Sequence, residues 1–111
     1  MTTAADELRT AARTLLDLAD ETAEEIETND YWHSQIVDRP HWYANGIDNA
    51  LGGPAGKLAG LFTPETTREI AAWLRTAAEY AGKWPPDHQA NSPFRQGALA
   101  VARQINGGEA R

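Results

Sequence analysis

Two of the chain's three histidines, His33 and His41, sit in a near-palindrome that runs Tyr31-Trp32-His33 and returns as His41-Trp42-Tyr43. Asp30 and Asp38 stand beside them. Two imidazoles and a carboxylate are ligands that zinc and copper accept, so a small metal- or ligand-binding protein centred on His33 and His41 is one reading. It needs a hairpin in register about Val37, in which His33 faces His41, Trp32 faces Trp42 and Tyr31 faces Tyr43. Opposed Cβ atoms would then lie about 5 Å apart. The spacing fits no established metal motif, and seven intervening residues exceed the two that hairpins favour. We therefore read the segment first as an aromatic cover, with Trp32 and Trp42 as candidate anchors for a partner.

Enzyme chemistry finds little else to work with. There is no cysteine, which excludes disulfides, thiolate nucleophiles and cysteine-ligated zinc. His88 has Asp87 beside it but lies in a proline-rich stretch, where a histidine is ordinarily solvated. Gly-x-Ser-x-Gly, P-loop and His-Glu-x-x-His patterns are missing. The glycine-rich run Gly52–Gly56 lacks the Lys-Ser/Thr of a phosphate loop and reads as a hinge or turn. The sequence leans away from an enzyme and implies no cofactor.

The acids are the more informative group. Residues 1–30 hold nine acidic side chains against Arg9 and Arg13, whereas the rest of the chain is nearly neutral within an overall charge of −6. Asp17, Asp20, Glu21 and Glu24 recur at spacings of three and four, and no base falls between Asp17 and Asp30. Like charges so placed repel by a few tenths of a kcal/mol per pair. A solvated face explains them, and so does a surface for a protein partner with a basic face. Clustered Lys and Arg are absent, which disfavours direct binding of nucleic acid.

These side chains have to be positioned by helices. Leu8, Ala12, Leu15, Ala19, Ala23 and Ile26, widened by Leu16, give the apolar stripe of a helix over about 4–28. Thr3 and Asp6 suit a capping box at its start. Thr63-Pro64-Glu65 opens a second helix over about 64–81, with Ile70, Trp73, Leu74, Ala77 and Ala81 on one face and Gly82 as its stop. Pro85-Pro86 forces a loop. Ser92-Pro93 begins a third helix over about 93–106, with Phe94, Ala98, Leu99, Val101, Ala102 and Ile105 facing inward and Asn106-Gly107 ending it. The tail from Gly108 is expected to fray.

Residues 31–62 lack a sustained helical period. Trp32 to Val37 alternates and reads as a short strand, and His41 to Ala44 as its return. Asn45-Gly46 is a turn signal, and Pro54 to Leu61 a short helix. The N-terminus has no apolar signal-peptide core, and no stretch is long and apolar enough to span a bilayer. A soluble, cytoplasmic protein without membrane association is expected.

Three stretches, Leu8-Arg9-Thr10-Ala11-Ala12 through Leu15, Ile70 to Ala78 around Trp73-Leu74, and Ala98 to Gly107, together resemble a set of small helical proteins. That set comes from high-GC actinobacteria and their phages and mobile elements. Its members often carry Pro-Gly-Pro-Trp after the first helix, where this chain has Asn29-Asp30-Tyr31-Trp32 and keeps only the tryptophan. The group has no assigned activity, so the resemblance implies an architecture and a genomic setting and transfers no catalytic residue.

The expected fold is a mainly α single domain. Three principal helices pack around Leu15, Trp73, Leu74, Leu99 and Val101, with a short β-hairpin between helices 1 and 2. The expected role is that of a small non-enzymatic accessory protein, binding another protein through Asp17, Asp20, Glu21 and Glu24, through the aromatic segment, or through both. A homodimer along the alanine-rich first helix also fits the spacing.

Overall fold

A reciprocal cap opens the first helix. Asp6 N–H donates to Thr3 Oγ1 at 3.1 Å, and Thr3 N–H donates to the Asp6 carboxylate at 3.2 Å. Two donors that the first turn cannot satisfy internally are thereby paired. Hydrogen bonding from Thr3, its backbone N–H first and its side chain second, holds the Asp6 carboxyl below its ordinary pKa. The helix, α1, runs Ala4–Thr28 in this computed structural model, which describes residues 2–83 and 93–107. His88, the Pro85-Pro86 loop, the Ser92 cap and the tail from Gly108 lie outside the described residues. So does the Phe94 side chain.

Six helices account for the described chain: α1, α2 (Asp30–His33), α3 (Trp42–Leu51), α4 (Gly53–Gly60), α5 (Pro64–Lys83) and α6 (Pro93–Ile105). A single 3₁₀ turn, Arg39–His41, leads into α3. The chain divides into two compact units, one of Met1–Leu16 with Glu69–Arg111 and the other of Asp17–Arg68.

The first unit is built on small side chains. Its core is Leu8, Ala11, Ala12, Ala71, Leu74, Ala77, Ala78, Ala81, Ala98 and Ala102. Leu8 and Leu74 are its only large fully buried side chains among the described residues, so alanine lets the helix backbones approach closely around them. Leu15, Leu16, Ile70, Trp73, Leu99, Val101 and Ile105 pack against this core partly buried. Arg103 spans both carboxylate oxygens of Glu7 at 3.3 and 3.2 Å, and Asn106 Nδ2 donates to the Glu7 carbonyl at 3.0 Å. These bonds tie the end of α6 to the start of α1. Helix α5 passes through Gly82 to Lys83, so Gly82 is not a stop; among the described residues only Gly52, Gly53 and Gly107 have positive φ.

The second unit corrects the expected hairpin: no strand exists among the described residues. Asn29 caps α2 by accepting from Tyr31 N–H at 2.9 Å. Ser34 Oγ and Gln35 Nε2 then both donate to the Tyr31 carbonyl, at 2.7 and 2.9 Å. These local bonds satisfy a backbone group that a strand would have paired across the ladder. Asn45 and Asn49, one helical turn apart on α3, both donate to Gln35 Oε1. Asn45-Gly46 is therefore helix interior, not a turn, with Gly46 buried.

Helix α4 folds back on α3 through Gly52 and Gly53, whose φ of 72° and 61° side-chain-bearing residues rarely adopt. The two helices touch backbone to backbone. A Cβ on Gly56 would sit 3.1 Å from Asp48 Cα, and one on Gly60 would sit 3.3 Å from Ala44 Cα. Within the glycine-rich run Gly52–Gly56, Gly52 and Gly53 make the expected turn, whereas Gly56, with Gly60 beyond the run, forms the contact surface of the helix pair.

Candidate functional site

The acidic side chains of α1 sort into two groups. Asp20 accepts from Arg68 at 3.0 Å, Glu27 is ion-paired with Arg39, and Glu25 accepts from the Trp32 indole N–H at 2.9 Å. Asp17, Glu21 and Glu24 are exposed, and their carboxylates have no partner among the described residues. Spaced by four and then three, these three lie on one line along the helix. The paired acids flank that line, with Asp20 and Glu27 on one side and Glu25 on the other. Leu18, exposed, follows Asp17 on the Glu25 side. The result is a ridge of unneutralised carboxylates edged by one aliphatic side chain. At the end of α1, Glu21, Glu24, Glu25, Thr28, Asn29 and Asp30 line an open hollow.

The exposed ion pairs contribute little stability individually, of the order of 0–1 kcal/mol each. Their larger effect is on the field. Arg39 and Arg68 offset the charge of Glu27 and Asp20 and leave Asp17, Glu21 and Glu24 without a counter-ion among the described residues.

The aromatic palindrome closes one residue out of the expected register. Trp32 stacks on Tyr43 (centroids 5.6 Å apart, planes at 15°), and His33 stacks on Trp42 (4.7 Å, 25°). Tyr31 meets Trp32 edge-on at 5.1 Å and donates its hydroxyl to the Gly46 carbonyl at 2.5 Å. Trp32 is buried, so its indole serves the interior of this unit and is not a surface anchor. Trp42 is half-buried, with the Arg39 guanidinium 5.1 Å from its ring centroid.

His33 and His41 do not face one another across a hairpin. His33 Nε2 lies 2.8 Å from the Ile26 carbonyl, which can only accept, so Nε2 carries the proton and is committed to closing the end of α1. His41 is exposed, and its backbone N–H donates to the Asp38 carbonyl. Among the described residues, no group of three or more His, Asp or Glu side chains is placed to hold a metal ion.

Tyr43 also lines a cleft with Ile26, Arg39, Pro40, Pro64 and Thr63. Burial pushes its phenol pKa up, so the group is a neutral hydroxyl at physiological pH.

Sequence reasoning missed two kinds of residue here. The neutralising Arg39 and Arg68 are distant in the chain from the acids they pair with, and only the near-neutral charge of residues 31–111 hinted at them. Ile36, 96% exposed, was expected on a strand face with Trp32 but stands out from the Ser34–Asp38 loop. Leu18 did carry a signal, since it falls off the apolar stripe of α1. No described helix is long and apolar enough to cross a membrane. Compared with known proteins, the chain matches no family model, no curated protein and no solved structure.

Proposed function

We propose that this chain is a small non-enzymatic accessory protein that binds a basic segment of another protein along Asp17, Glu21 and Glu24. One observation carries the reading: these three carboxylates are exposed and unpaired on a single line, while acids to either side are neutralised or hydrogen-bonded. A solvated face kept for solubility alone has no need of that division. A partner helix with Lys or Arg at matching spacings of four and three would meet all three acids, with Leu18 as an apolar contact at the edge. Ile36 and the half-buried Trp42 extend the reading to the aromatic segment. The resemblance to small actinobacterial, phage and mobile-element proteins supports a cytoplasmic accessory role in such a setting.

A helical peptide bearing Lys at those spacings, followed by fluorescence anisotropy, is the test. Reversing Asp17, Glu21 and Glu24 to Lys should abolish binding with helicity unchanged, and added salt should weaken wild-type binding. Asp20→Asn, which removes an acid already engaged by Arg68, should change affinity by less than about threefold. Peptide binding unaffected by the triple reversal would overturn the proposal.

A further inference from the structure

The chain contains two Asn-Gly pairs, Asn45-Gly46 and Asn106-Gly107, and the fold treats them oppositely. The pair is chemically labile: asparagine is a thermolabile residue, and a following glycine puts no side chain in the way of the reaction. The backbone nitrogen of the glycine attacks the carbonyl carbon of the asparagine side chain. A new N–C bond closes a succinimide ring, the old bond to the amide nitrogen breaks, and that nitrogen leaves as ammonia with the proton the glycine gives up. Water then opens the ring at either carbonyl, leaving aspartate or isoaspartate.

Attack requires that the side chain and the next backbone nitrogen can turn towards one another. Asn45 and Gly46 are held apart from that motion. They lie inside α3, Asn45 Nδ2 donates to Gln35 Oε1 at 2.7 Å, and the buried Gly46 has the Trp32 ring 2.6 Å from where a Cβ would stand. Asn106 and Gly107 instead follow Ile105, the last residue of α6. Asn106 is exposed, Gly107 has a φ of 107°, and no atom lies within 4 Å of the place its Cβ would take. A turn bond to the Gln104 carbonyl at 3.2 Å holds the Gly107 nitrogen. Helix ends open at little cost, whereas a buried helix interior opens only with the structure around it.

We infer that Asn106 is a site of spontaneous deamidation, and that its conversion releases the end of α6 from the start of α1. The amide consumed is the one that makes the tie, since Asn106 Nδ2 donates to the Glu7 carbonyl at 3.0 Å. An ionised carboxylate in its place only accepts, so two acceptors would face one another. It also brings a negative charge to Glu7, whose own carboxylate Arg103 holds at 3.3 and 3.2 Å. Isoaspartate goes further, because it adds a methylene to the main chain and shifts whatever follows α6.

Incubating the full chain in warm, mildly alkaline buffer and mapping its tryptic peptides by mass tests the first half. The peptide after Arg103 should convert at Asn106 to a mixture of aspartate and isoaspartate, at least about tenfold faster than Asn45 converts. Asn106→Gln keeps an amide but must close a larger ring, and should leave that peptide unchanged. Hydrogen exchange tests the second half, with Asn106→Asp standing for the converted chain. Its amides around Glu7 in α1 and before Asn106 in α6 should exchange about fivefold faster than in wild type, the factor that one ordinary hydrogen bond is worth. Those of α3 should keep their rate. An Asn106 that stays an amide, or that Asn45 matches to within about tenfold, overturns the inference. So does Asn106→Asp with the exchange rates of wild type.

Discussion

Trp32 and Gly46 are in such close contact that the indole occupies the space of a side chain: a Cβ on Gly46 would lie 2.6 Å from Trp32 Cζ3. Gly46→Ala therefore sets two effects against each other. Alanine gains up to about 1 kcal/mol of helix propensity in α3, whereas forcing an extra carbon into a packed contact costs about 1–3 kcal/mol. Packing should win, because the atoms met belong to a rigid buried ring. Urea denaturation should show a net loss of about 1 kcal/mol, with a changed near-ultraviolet circular dichroism band. A stabilised variant would mean that the indole moves aside freely.

Trp32 also reaches back to α1 through its N–H bond to Glu25. Phenylalanine keeps a ring against Tyr43 and Gly46 but cannot make that bond. Trp32→Phe should cost about 1–2 kcal/mol, part of it from lost volume. Combined with Glu25→Ala, which removes the acceptor, in a double-mutant cycle, the coupling should be about 0.5 kcal/mol, modest because Glu25 is exposed. Purely additive losses would show that the bond adds no stability.

The capping box at Thr3 and Asp6 gives a pH signature. Because the folded carboxyl titrates below its ordinary value of 3.8, the unfolded chain binds more protons on acidification. The stabilisation is complete above that value and is lost as pH falls through the lower folded pKa. In Asp6→Asn this acid limb should flatten, as seen in thermal melts taken between neutral and acidic pH. An unchanged limb would assign it to other carboxylates.

The acidic ridge should carry a stability cost. Glu21 lies at favourable spacing to repel both Asp17 and Glu24, so Glu21→Gln should raise stability by a few tenths of a kcal/mol per pair relieved. The same variant should weaken binding of the basic peptide several-fold. Opposite signs in the melt and the anisotropy titration distinguish a ridge kept for binding from one kept for solubility.

The long helices were legible because their evidence is local. Thr3 with Asp6 and Thr63 with Thr66 N–H form caps within three residues, and the alanine and leucine stripes repeat over many turns. The middle of the chain was not legible, because its signals were borrowed for tertiary contact. Gly46 reads as a turn residue, yet it is glycine because Trp32 sits on it. Trp32 to Val37 alternates like a strand, but Ser34 and Gln35 bond locally to Tyr31, and Ile36 points to solvent. At the candidate site, Asp17, Glu21 and Glu24 could be picked out as acids from spacing alone. That Asp20 is neutralised depends on Arg68, which only folding brings near.

Gly46, Gly56 and Gly60 each hold a place that Trp32, Asp48 or Ala44 would contest with any side chain. Chains that inherit this architecture are thus not free to enlarge those three positions. Distant relatives should be recognisable by small residues kept at that spacing, even where Trp42, His33 and the acids of α1 have all drifted.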